Sequence, residues 1–218
     1  MSAEASDPER AAVDGLLGIP DSGWAGGDRS EADHHIARGG VRHAIGLRHL
    51  LLPALQAVQG AIGWVSPGAL NYVSERLSVP PAEAYAVATF YALLATEERP
   101  TRVAHVCEDV SCRTRGGLEL LEELGGRDDV VASPCLGQCD RSPAVLVQRA
   151  GEYDASLWYS TPEMVIDVLE GARPIDPNPG HYGIPQTEAG SDGLRLLHRV
   201  GAIDPYSLTD YRAADGYA

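Results

Sequence analysis

All four cysteines of this 218-residue chain fall in one short stretch, as Cys107-Glu-Asp-Val-Ser-Cys112 and Cys135-Leu-Gly-Gln-Cys139. The pattern is C-x4-C, a 22-residue spacer, then C-x3-C. Such pairing constrains the fold strongly, because both short segments must meet if the thiols are to act together. Four thiolates are what one tetrahedral ion or one small cluster takes from a protein.

Four readings compete for these residues. Unrelated buried thiols have no reason to occur in pairs, although free cysteine does behave as a small hydrophobe. Two disulfides would need an oxidising compartment, and the acidic start Met1–Arg10 lacks the apolar core of a secretory leader. Structural zinc is the serious rival, since both spacings suit zinc sites. An iron–sulfur cluster is the favoured reading. Neither pair is C-x2-C, which disfavours a thioredoxin-type redox dithiol. No Cys-x-His is present for a Rieske-type site, and the spacing departs from plant-type and bacterial ferredoxin patterns.

Charge narrows the partners. The net charge is −14 and every one of the 17 basic residues is arginine. An acidic chain is a poor match for nucleic acid or an anionic membrane, both of which call for a basic face. No apolar run approaches the length of a membrane span, so a cytoplasmic protein without membrane insertion is expected.

Residues 1–40 are rich in Gly, Asp, Ser and Ala and read mostly as a mobile tail, with a short helix allowed near Pro8–Leu17. His34 and His35, adjacent in sequence, do not converge as metal ligands would. Residues 41–98 read as a small helical bundle. Leu47, Leu50, Leu51, Leu55, Val58 and Ile62 recur at helical steps, with Pro53 in a first turn and Gly60 and Gly63 closing the helix. Ser66-Pro67 opens a second helix carrying Leu70, Val73 and Leu77, and Pro80-Pro81 a third carrying Ala84, Val87, Ala88, Tyr91 and Leu94. His43 and His49 are six apart on the first helix and share no face.

Residues 99–173 change period. Arg102–Val106 reads as a strand running into Cys107, and Thr114–Gly125 as a helix with Leu118, Leu121 and Leu124 inward. Asp129–Ser133, Ala144–Val147 and Leu157–Tyr159 read as strands, and Glu163–Glu170 as a closing helix capped by Thr161-Pro162 and ended by Gly171. The order β-α-β, β-β-α is that of a thioredoxin-like domain, so the fold class is α+β, a helical bundle followed by a thioredoxin-like α/β domain. Both cysteine pairs then sit at one end of the sheet. Cys112 is expected just before a helix, whose positive end favours a thiolate. Gly116, Gly117 and Gly137 allow close backbone approach to a cluster, although ordinary turn geometry explains the first two equally well. His105 shares the Cys107 face of its strand, as a core residue or a modifier of redox potential.

Taken together, Pro53-x-Leu55-x-x-Val58-Gln59, Gly63-Trp64, Ala88-Thr-Phe-Tyr91, the two cysteine pairs and Pro143 resemble the E subunits of bacterial NADH-quinone oxidoreductases and of NAD-linked formate dehydrogenases and hydrogenases. The resemblance covers residues 44–172. It implies one [2Fe-2S] cluster, ligated by Cys107, Cys112, Cys135 and Cys139, and a larger complex in which this subunit carries electrons and has no autonomous catalytic site. The spacer between the pairs is shorter than is usual in that family, the missing part falling between Gly125 and Val130. Residues 174–190 read as a Pro/Gly-rich linker. Residues 191–218 contain a segment, Leu194 to Tyr211, similar to the start of the flavin- and NADH-binding F subunit. That likeness implies either an E–F fusion or a docking segment for a separate F subunit. No glycine-rich phosphate loop follows a strand, so no NADH or FMN site is expected in these residues.

Overall fold

The computed structural model describes residues 3–20, 46–173, 195, 198–199, 201–204 and 206–217. His34, His35, His43 and the expected linker lie outside these residues.

Helix α1 (Asp7–Leu17) opens with a capping box, in which the Glu9 carboxylate accepts from the Ser6 amide at 2.6 Å and the Ser6 hydroxyl at 2.8 Å. A 3-10 turn (Arg48–Leu50) leads into α2 (Leu51–Ile62), followed by α3 (Pro67–Leu77) and α4 (Pro81–Phe90). The Ser66 hydroxyl accepts from Ala69 N–H at 3.0 Å, so the Ser-Pro start of α3 forms as expected. Gly63 ends α2 with φ +94, where a side chain would be strained, while Gly60 stays inside the helix. Val13, Ala54, Leu55, Val58, Val65, Ala69, Val73, Leu77, Ala84 and Ala88 share one core. Tyr91 falls past the end of α4 and is largely exposed, because that helix stops at Phe90.

The short helix allowed near Pro8–Leu17 forms as α1, and residues 21–40 of the expected tail lie outside the described residues. Over residues 3–20 the structure packs α1 onto the bundle. Val13 is fully buried, and Asp14 accepts from both Tyr72 Oη (2.7 Å) and the Arg76 guanidinium. Composition missed this because one buried valine and one buried ion pair carry the contact.

Strands β1 (Arg102–Cys107), β2 (Val130–Ser133), β3 (Val145–Arg149) and β4 (Ala155–Leu157) form one sheet in the order β2-β1-β3-β4. β1 pairs parallel with β2 and antiparallel with β3, and β3 antiparallel with β4. Helices α5 (Val110–Arg113) and α6 (Gly117–Glu123) lie between β1 and β2, and α7 (Pro162–Leu169) follows β4. This is the expected thioredoxin-like order.

Ala104, Val106, Leu120, Leu124, Val145, Val147, Val165 and Val168 make the core under α6 and α7. Leu118, expected inward, is partly exposed, because the helix begins at Gly117 rather than Thr114 and its buried stripe runs through Leu120 and Leu124. The other face of the sheet looks onto α2 across a cleft of about 560 Å³ lined by Gln59, Arg99, Leu146, Gln148, Asp154 and Cys135, among others.

Asn178–Ala218 is a separate compact unit. It holds α8 (Leu208–Ala213), whose Ser207 hydroxyl accepts from Asp210 N–H at 3.1 Å, with Arg199 over the Tyr211 ring at 5.1 Å.

Candidate metal centre

β1 delivers Cys107 at its C-terminal end, where its amide donates to Ala144 O at 3.1 Å and the Glu108 amide to Ser133 O at 3.0 Å. The Asp109 carboxylate accepts from Val110 N–H at 2.7 Å and starts α5, a single turn. Cys112 sits inside that turn rather than immediately before the long helix, so the positive end of α6 rests at Gly117 instead. The reason is local: Gly116 takes φ +93 and re-aims the chain before α6 begins.

β2 delivers Ser133-Pro134 and then the second pair. Gly137, with φ +74, turns the chain so that its N–H donates to Cys135 Sγ at 3.5 Å. A 3-10 turn (Cys139–Arg141) follows. The exit from β4 braces it: Tyr159 N–H donates to Arg141 O and Ser160 N–H to Pro143 O, both at 3.0 Å, while Arg141 lies over the Trp158 ring at 4.4 Å.

The four thiols gather in pairs. Cys135 Sγ and Cys139 Sγ are 3.6 Å apart, and the Cys107 and Cys112 thiols hydrogen-bond to one another. Cys107 and Cys112 are buried, packed with Ala144 and Leu136, whereas Cys135 and Cys139 are exposed. Among the described residues no three His, Cys, Asp or Glu side chains converge on a single ion.

The surroundings suit sulfur that is to carry negative charge. Cys107 accepts from the backbone N–H groups of Asp109 and Leu136, Cys135 from Gly137, and Cys139 from the Ser111 hydroxyl. The Ser142 hydroxyl lies 3.5 Å from Cys112 Sγ. Three of the sulfurs thus have a donor, and two of the donors, Leu136 and Ser111, come from the opposite cysteine segment, while the Cys112 thiol itself donates to Ser142 Oγ. Even so, burial pushes the Cys107 thiol up, and the Cys135 thiol beside it pushes Cys139 up. Paired thiols resist double ionisation until a cation supplies the compensating charge. The residues fit a group that binds as iron and displaces those protons.

His105 lies on β1, buried at 2% exposure. Gln148 Oε1 accepts from Arg99 Nη2 (2.7 Å) and Gln59 Nε2 (3.2 Å), and His105 Nε2 lies 2.8 Å from that oxygen and 3.3 Å from Arg99 Nη1. Burial and then the Arg99 charge lower its pKa to about 4. It is a core histidine that ties the sheet to α2. His49 is exposed, next to Gly46 O. Gln148, Arg99, Ser111 and Ser142 were not singled out in the sequence; only the closeness of the two serines to cysteines hinted at a role.

Comparison with known proteins agrees with this geometry. The profile of the thioredoxin-like [2Fe-2S] ferredoxin family matches residues 41–130, ending just before the second cysteine pair. The E subunit of NADH-quinone oxidoreductase from Escherichia coli K12 is 27% identical over 154 residues, covering 65% of this chain and 90% of the relative. Its counterpart from Pseudomonas aeruginosa is 29% identical over 133 residues, covering 55% and 77%. Residues 41–130 are thus similar to the thioredoxin-like [2Fe-2S] ferredoxins. A [2Fe-2S] cluster is the cofactor that this match supports, and the relatives are by name subunits of NADH-quinone oxidoreductase. Among the described residues no helix is long and apolar enough to cross a membrane.

Proposed function

We propose that the chain is the one-electron carrier of an NADH-linked oxidoreductase, exchanging single electrons with a flavin-bearing F-type partner in the cytoplasm. The observation that carries this reading is the placing of two thiol pairs at one end of the sheet, with donors on Cys107, Cys135 and Cys139 and a hydroxyl beside Cys112. Cys107 and Cys112 would hold one iron and Cys135 and Cys139 the other. When bound, the cluster supplies a reversible one-electron couple. The chain's own residues do the rest: the Asp109, Leu136 and Gly137 amides stabilise thiolate charge, and Leu136 and Ala144 keep water from the buried pair. No side chain has to act as general acid or base. The exposed pair faces outward, which suits exchange with a partner. The segment leading into Tyr211 would serve docking to, or fusion with, the F-type subunit.

Anaerobic reconstitution with iron and sulfide tests the ligand set. The wild-type chain is expected to bind about two irons and two sulfides. Cys107→Ala and Cys139→Ala are each expected to abolish stable incorporation, checked by metal and acid-labile sulfide analysis. Incorporation unchanged in either variant would contradict the assignment. For the partner, the reconstituted chain mixed with a flavin-loaded F-type subunit should be reduced by NADH, and not without that subunit.

A further inference from the structure

The second cysteine segment sends one hydroxyl back to the first pair. Ser142 is 3% exposed, and its Oγ lies between Cys112 Sγ (3.5 Å) and Cys139 O, to which it donates at 2.9 Å. Its backbone places it one residue past the 3-10 turn that holds Cys139. The mirror contact exists too: Ser111, next to Cys112, hydrogen-bonds to Cys139. The two hydroxyls therefore cross between the segments, each serving the other segment's cysteine.

As a free thiol, Cys112 donates to Ser142 Oγ, and the Ser142 proton points at the Cys139 carbonyl. A ligating Cys112 has no proton to give. The buried Ser142 hydroxyl then has an anionic sulfur on one side and a neutral carbonyl on the other, and hydrogen bonds to ionised acceptors are the stronger ones. We propose that Ser142 is a positioning residue that turns its O–H onto Cys112 sulfur in the loaded protein and raises the reduction potential. The direction follows from charge: one added electron makes the sulfurs more negative, so a donor held against them favours the reduced form. No proton or covalent bond moves; only the hydroxyl rotates. The inference rests on Cys112 being a ligand.

The test is a mediated optical redox titration of the reconstituted full chain as wild type, Ser142→Ala and Ser142→Thr. Ser142→Ala is expected to shift the redox equilibrium about tenfold toward the oxidised form, about 59 mV for one electron, with Ser142→Thr staying near wild type because it keeps the hydroxyl. An alanine variant titrating with wild type overturns the proposal, and so does a threonine variant shifted as far as alanine. If Ser142→Ala does not retain the cluster, Ser142→Gly deletes the same hydroxyl without added bulk and carries the same comparison. A Cys112→Ala variant that takes up iron and sulfide as the wild type does would overturn the ligand assignment, and this proposal with it, before any potential is measured.

Discussion

A methyl group on Gly117 would come within 2.8 Å of Cys112 O and 2.9 Å of Cys107 O, both backbone atoms that cannot swing aside. That glycine is where α6 is pressed against both halves of the first cysteine segment. Gly117→Ala is therefore expected to cost about 1–3 kcal/mol and to loosen cluster retention together with stability. Urea unfolding and iron release to a chelator check both; an unchanged midpoint would show that the segment has slack. Gly137 differs: a side chain there meets nothing, and its φ of +74 is the constraint.

His105 sets a pH dependence with a definite sign. Unfolded, its pKa is 6.5; folded, it falls to about 4. Between those values the unfolded chain binds a proton that the folded chain does not. The stability present above 6.5 is thus lost as pH falls through about 4, by about 3 kcal/mol in total. His105→Asn is expected to flatten that part of the profile, read by denaturant titration at several pH values in this window. A variant with the wild-type slope would place the acid sensitivity elsewhere.

At the scale of elements, α1 is held to the bundle chiefly through Val13 and the Asp14–Arg76 pair. The Arg76 side chain is only 4% exposed, so removing Asp14 leaves a buried cation short of its counter-charge. Asp14→Ala is expected to cost about 3 kcal/mol, with protection of α1 amides from hydrogen exchange lost first. Equal exchange in both proteins would mean the pair does not anchor the helix. The sheet is tied to α2 differently, by Gln148 drawing Arg99, His105 and Gln59 to one oxygen.

These elements also show what the sequence could and could not reveal. The three bundle helices, the first three strands and the closing helix were legible, because apolar period, Ser-Pro starts and glycine stops agreed with one another. The fourth strand, expected at Leu157–Tyr159, lies at Ala155–Leu157. The cysteine pairs were legible because four thiols on adjacent connections have few other uses. The α1 contact was not, since a single valine and one ion pair leave no periodic trace. The one-turn helix around Cys112 was hidden as well, because Asp109 as its cap and Gly116 as its end act over too few residues to form a pattern. The crossed serines were invisible for a different reason: a hydroxyl's partner across two segments is set by tertiary structure alone.

For the whole molecule, the bundle and the sheet fall in one compact unit, with Cys107 and Cys112 buried and Cys135 and Cys139 exposed. The short connection from α6 to β2 leads directly into the strand that delivers the second cysteine pair. The most direct test of the account is the optical and low-temperature EPR spectrum of anaerobically purified full-length chain, oxidised and then reduced with dithionite. Reddish-brown absorption that bleaches on reduction, with a one-electron [2Fe-2S] signal in the reduced sample, is the expected result. A colourless protein holding stoichiometric zinc, and no iron even after reconstitution, would contradict it.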